Sequence, residues 1–132
     1  MRSVLAAGLL LAAFAMPAKA ADPYLTLDTP GPYHYGGTIT VTAHGDVPGR
    51  PDEKDPKSWI VLTCEQDGET VYTEYLFSPA PETPYIRHLG QEGLSQWDLN
   101  GGGAADCSVR LASLGHNHPG TVFTLIPFHV EA

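Results

Sequence analysis

Ser58-Trp59-Ile60-Val61-Leu62-Thr63-Cys64-Glu65 is followed by Asp67-Gly68 and then by Thr70-Val71-Tyr72-Thr73-Glu74-Tyr75-Leu76-Phe77. The first run is apolar at odd and even positions alike, as expected of a central strand with both faces covered. The second is rich in β-branched and aromatic residues, which fit a pleated surface. Asp-Gly between two such runs is the signature of a tight hairpin with positive φ at both turn positions. The two runs are therefore neighbours in one sheet.

The same period of two extends outward from this hairpin. Gly37 to His44 alternates Ile39, Val41 and Ala43 with threonines, one face buried and the other wet. Tyr24 to Asp28 is a shorter strand with Leu25 and Leu27 inward. On the far side, Leu94 to Leu99 reads as a strand with Trp97 and Leu99 facing in, and Ala105 to Ala112 alternates strictly, burying Cys107, Val109 and Leu111. Thr121 to Val130 closes the chain as an edge strand, because Pro127 has no N–H to give a ladder. Between them Gly, Pro, Asn and Asp punctuate. Pro48 to Pro56 is a charged, Pro-rich loop, and Ser78 to Gly93 is a long connection whose second half has room for a short strand. The chain after its leader reads as one all-β domain, residues 21–132, with no helical period and no repeat.

Residues 1–20 have the form of a secretory signal: Arg2, an apolar run from Val4 to Met16, then Pro17-Ala18-Lys19-Ala20 with small residues before the expected cleavage. Pro17 and Lys19 interrupt the run before it reaches the roughly 20 apolar residues of a membrane span. The expected location is secreted or periplasmic, with no membrane span after cleavage. In such a compartment two cysteines are read as a disulfide, Cys64 with Cys107. Closing that loop stabilises the fold by about 4 kcal/mol in the chain-entropy model. CxxC spacing, the mark of a zinc or redox site, is absent.

The formal charge of the whole chain is −8, and loss of Arg2 and Lys19 with the leader makes the remainder more acidic. Arg50, Lys54, Lys57, Arg87 and Arg110 are scattered, so nucleic acid is not an expected partner.

About seven short strands with frequent turns resemble an immunoglobulin-like or fibronectin-like two-sheet antiparallel sandwich, of the kind found in bacterial exported proteins. In that fold's letters the strands are A (24–28), B (37–44), C (58–65), C′ (70–77), E (94–99), F (105–112) and G (121–130). The chain departs from the immunoglobulin pattern at Ala105, where a tyrosine corner would stand two residues before Cys107. A two-residue turn cannot bridge two sheets, so the hairpin puts Cys64 on C rather than B. The bridge to Cys107 on F then lies within one sheet.

With Cys64, Leu62 and Ile60 inward, Trp59 and Val61 point to the outer face, joined across the hairpin by Tyr72 and Leu76. These four are the expected ligand-binding residues of a non-catalytic binding or adhesion module, its ligand a protein or a carbohydrate, with sugar stacking on Trp59, Tyr72 or Tyr75. The oligomeric state is left open. Two alternatives accompany this reading. One is protease inhibition by the 78–93 loop, presenting Thr83 to His88. The other is metal binding by His44, His88, His116 and His118, gathered at the loop end with Asp46, Asp52 and Asp55. No cofactor is expected, and no catalytic constellation is found: Gly93-Leu94-Ser95-Gln96 lacks the Gly-x-Ser-x-Gly elbow.

Overall fold

The computed structural model describes residues 22–47, 58–113 and 121–132. The expected signal segment, Asp52, Asp55, His116 and His118 lie outside these residues. Eight strands and one short helix follow in chain order: β1 (Tyr24–Leu27), β2 (Tyr33–His34), β3 (Thr38–His44), β4 (Ser58–Gln66), β5 (Glu69–Phe77), β6 (Pro84–His88), α1 (Gln96–Leu99), β7 (Ala105–Ser113) and β8 (Val122–Glu131). They form a three-stranded sheet, β1-β3-β6, packed on a five-stranded sheet, β2-β8-β7-β4-β5. The architecture is an all-β two-sheet sandwich, and the order expected of strands G, F, C and C′ is the order observed.

Alternation puts one side chain in two of each strand into the space between the sheets. Ile39, Val41 and Ala43 of β3 meet Ile60, Leu62 and Cys64 of β4 and Val109 and Leu111 of β7, all at most 1 % exposed. Cys64 and Cys107 are directly opposed in the β4–β7 ladder and form the disulfide, so the bridge is cross-strand within the larger sheet. The β2 ladder reaches only Val130 and Glu131 of β8, which leaves Pro127 on an open stretch of edge.

Asp67 and Gly68 have φ of 51° and 79°, the paired positive values of the expected tight turn. The register beyond it is not regular. Gln66 faces Glu69 and Glu65 faces Thr70, but Cys64 faces Tyr72, so Val71 is an extra residue on β5. Such a bulge moves every later side chain of its strand to the opposite face. Tyr72 and Leu76 therefore lie on the inner side with Cys64 and Ile60, and Tyr72 is buried. The expectation that they join Trp59 and Val61 outside is corrected: Tyr75 faces Val61 and Phe77 faces Trp59.

The expected strand at 94–99 is instead a loop and α1. Ser95 caps the helix by accepting a hydrogen bond from the Asp98 backbone, the Ser-x-x-Asp arrangement that marks a helix start. Trp97 is fully buried as expected, donating from its indole to the Gly103 carbonyl at 3.0 Å, whereas Leu99 is largely exposed. The place of the missing strand is taken by β6, which pairs with β3 from Thr38↔His88 to Thr42↔Pro84.

Beside Trp97, Tyr35 donates its hydroxyl to the Asp98 carboxylate and its ring lies between Gly90 and Gly102. Both glycines have positive φ, and a Cβ on either would overlap that ring. Asp98 also accepts from the backbone N–H groups of Gln91 and Gly93 and from Ser95 Oγ. Tyr35 first, then Ser95 and the two amides, hold its carboxyl well below the usual carboxylate range.

Candidate functional site: two outer faces

The outer face of the five-stranded sheet can be read row by row from the ladders. Phe77, Trp59, Ala112 and Val122 form one row, and Tyr75, Val61, Arg110 and Leu125 the next. Thr73, Thr63, Ser108 and Pro127 follow, and then Glu65, Asp106 and His129. Apolar and aromatic residues thus fill one half of the face, and polar ones the other. Tyr75, Phe77, Val122 and Leu125 are each about half exposed, at 47 %, 52 %, 56 % and 58 %. Trp59 packs on Tyr75 and Phe77 with ring centroids 5.1 and 5.7 Å away. Val61 points outward as expected but is only 1 % exposed, hemmed in by its neighbours Tyr75 and Arg110.

Of the four expected ligand-binding residues, Trp59 and Val61 share this face and Tyr72 and Leu76 do not. Tyr72 donates to Glu74 Oε2 at 2.6 Å, and Arg87 of β6 donates to Glu74 Oε1 at 2.6 Å. The two sheets are clamped there, across the open side of the sandwich. Burial, with the Glu74 hydrogen bond adding to it, raises the Tyr72 phenol far above its ordinary range. Arg87 and Tyr85 were expected on a presented loop; they lie instead within β6, hydrogen-bonded along β3.

The outer face of the three-stranded sheet is polar apart from the exposed Tyr24 and Ile86. Asp28 accepts from Thr26 Oγ1 at 2.7 Å and from Thr42 Oγ1 at 2.6 Å. Thr26 Oγ1 is 2.8 Å from His44 Nε2, and His44 Nδ1 is 2.6 Å from Glu82 Oε2. A hydroxyl, an imidazole and a carboxylate in line have the connectivity of a nucleophile and its base. Here, however, the Thr26 hydroxyl has one proton and three groups within reach of it, the Asp28 carboxylate, the His44 ring and, at 3.5 Å, the Thr42 carbonyl. The chain of bonds ties β1, β3 and the segment before β6 together. Tyr24 stacks on the His44 ring at 4.7 Å.

His44 and His88 do not converge. His88 stands opposite Thr38, at the other end of β3 from His44, about 20 Å along the strand. The loop-end grouping assumed that His88 follows a loop, and β6 carries it away. Among the described residues no group of three His, Cys, Asp or Glu side chains is set to hold a metal ion. His129 is hydrogen-bonded to Asp106 at 2.9 Å, and this carboxylate, with Glu131, raises its imidazole above the ordinary value.

Comparison with family models, with curated proteins and with solved structures returns no match. No helix among the described residues is long and apolar enough to cross a membrane.

Phe77, Val122, Leu125 and Arg110 are the residues of the apolar face that sequence reasoning did not assemble, and Tyr75 entered it only as a sugar-stacking candidate. β5 is apolar on both sides, with Val71, Tyr75 and Phe77 on one parity and Tyr72 and Leu76 on the other. Its pattern cannot choose between the two registers. β8 is likewise apolar on both parities, and a register shift opposite Leu111 and Ala112 leaves Phe123 unpaired and sets Val122 in the same row as Ala112.

Proposed function

We propose that the protein is an exported, non-catalytic binding module whose ligand sits on the outer face of the five-stranded sheet. The observation that carries this reading is the coincidence on one face of four half-exposed large apolar residues, Tyr75, Phe77, Val122 and Leu125, around Trp59. Scattered exposed apolar residues are ordinary, but a contiguous patch rimmed by polar ones marks a contact surface. The disulfide is compatible with an oxidising compartment, as an exported protein requires.

The test compares wild type with Trp59→Ala and Tyr75→Ala in retention on a defined panel of secreted-protein fractions and insoluble polysaccharides. A ligand retained by wild type and lost by both variants, with melting temperatures within a few degrees, is the expected result. Equal retention by the variants, or their unfolding, sinks the reading.

A further inference from the structure

The described residues contain two cations, Arg87 and Arg110, and the fold treats them oppositely. Arg87 is ion-paired with Glu74 at 2.6 Å. Arg110, half-buried between Val61 and Leu125 at the inner border of the apolar patch, makes no hydrogen bond or ion pair among the described residues. Its cross-strand neighbours on that face are Val61 and Leu125, and beyond Val61 stands Tyr75. The nearest carboxylates of the same face, Asp106 and Glu65, are about 13 Å further along the strands, and Asp106 is already engaged by His129.

A guanidinium partly withdrawn from water among aromatic and aliphatic side chains gains most from a carboxylate, which it binds with two parallel N–H donors. A ligand covering Trp59, Tyr75 and Leu125 also covers Arg110, and must bring that group or leave the charge buried without a partner. A second copy stacked apolar row on apolar row does not supply it, since those rows hold no acidic residue. A neutral sugar brings no anionic group to Arg110, and an acidic one is separated from a protein segment by the test below. Tryptophan, tyrosine and arginine together are the composition of a protein-contact centre.

We propose that this face docks a protein segment of apolar residues carrying one aspartate or glutamate, whose carboxylate pairs with Arg110. The proposal rests on the binding-face reading above and adds to it the chemistry of the partner. Because the chain as a whole is strongly acidic, selection for the carboxylate is local to Arg110 and not a product of the overall field.

The probe is an array of synthetic peptides with apolar residues at alternate positions and a central Glu, Gln or Lys, together with polygalacturonate as an acidic glycan. Wild type is expected to bind Glu peptides at least about tenfold tighter than their Gln counterparts. Arg110→Gln loses that preference without a change in melting temperature, and Arg110→Glu turns it toward Lys. If Glu and Gln peptides bind equally and Trp59→Ala abolishes both, the carboxylate proposal falls while the binding face stands. If wild type binds no peptide, or retains only polygalacturonate, a protein partner of this chemistry is overturned, and the defined ligand panel judges the face itself.

Discussion

The two outer faces of this sandwich are built from opposite materials. On the three-stranded sheet, Glu82, His44, Thr26, Asp28 and Thr42 pass hydrogen bonds from one to the next, and these five side chains find partners within the chain. On the five-stranded sheet the corresponding surface is Trp59, Tyr75, Phe77, Val122 and Leu125 beside Arg110, which has no partner among the described residues. Apolar groups cannot satisfy one another by hydrogen bonds; they gain only by being covered. A face that has closed its own bonds holds the fold together, and one that has not is the place where a partner adds something.

The largest expected effect tests whether both faces stand on one frame. The disulfide joins two adjacent strands of the larger sheet, beneath the polar half of its outer face, and the closed loop spans 43 residues. Replacing both cysteines, Cys64→Ala with Cys107→Ala, should cost about 4 kcal/mol of stability in urea unfolding. The transition should stay single and coincide for Trp59 fluorescence and for amide signals of β3. Two separate transitions would show that the faces belong to independently melting parts, and the comparison would lose its basis.

The two arginines sharpen the contrast at smaller scale. Arg87→Met leaves Glu74, with its side chain 19 % exposed, without its cation, and should cost about 2 kcal/mol. Adding Glu74→Leu should recover most of that loss, because the remaining Tyr72 hydroxyl is the only group then lacking its partner. Arg110→Gln on the other face should change stability by less than about 0.5 kcal/mol. An Arg110 substitution as costly as the one at Arg87 would mean that this side chain works for the fold, not for a ligand.

Within the polar face, Asp28 is the shared acceptor. Asp28→Ala takes away the acceptor of the largely buried Thr42 hydroxyl, at a cost of about 1 kcal/mol. Adding Thr42→Val should remove most of that cost, since no polar group is then left unsatisfied. Non-additivity of this kind, measured as a double-mutant cycle, is the mark of a closed network.

Much of this was legible in the chain because side-chain alternation is a local property. The bounds of β3, β4 and β7 follow from the sequence within a residue or two, and the Asp67-Gly68 turn alone places Cys64 in the same sheet as Cys107. What escaped were decisions taken by tertiary contacts. Val71 is accommodated as a bulge because doing so buries Tyr72 against Trp97 and sets Glu74 opposite Arg87, partners far off in sequence. Leu94 to Leu99 alternates like a strand, but Ser95 and Asp98 cap a helical turn whose purpose is to bring Trp97 into the core. The Ser-x-x-Asp spacing was present to be weighed against the alternation. The half of the binding face contributed by Tyr75 and Phe77 depends on that one extra residue, and no periodicity announces it.

The smallest expected effect separates the faces by pH. On the polar face, the hydrogen bond from His44 first, and that from the Gly45 amide, hold the Glu82 carboxyl below its ordinary value. A carboxyl whose folded value is depressed contributes stability above its unfolded value, near 4.3, and loses it as pH falls through the folded one. On the other face His129 is shifted upward by Asp106 and Glu131. An imidazole raised in the folded state contributes below about 6.5 and loses that contribution as pH climbs through the folded value. Both groups are well exposed, so each effect is slight. The signs are nevertheless opposite: Glu82→Gln should flatten only the acid limb of a stability–pH profile, and His129→Gln only the limb above neutrality. A Glu82→Gln variant whose acid limb overlays that of wild type would show that the strap from Glu82 through His44 to Asp28 does not act in solution, and with it would go the claim that this face holds itself closed.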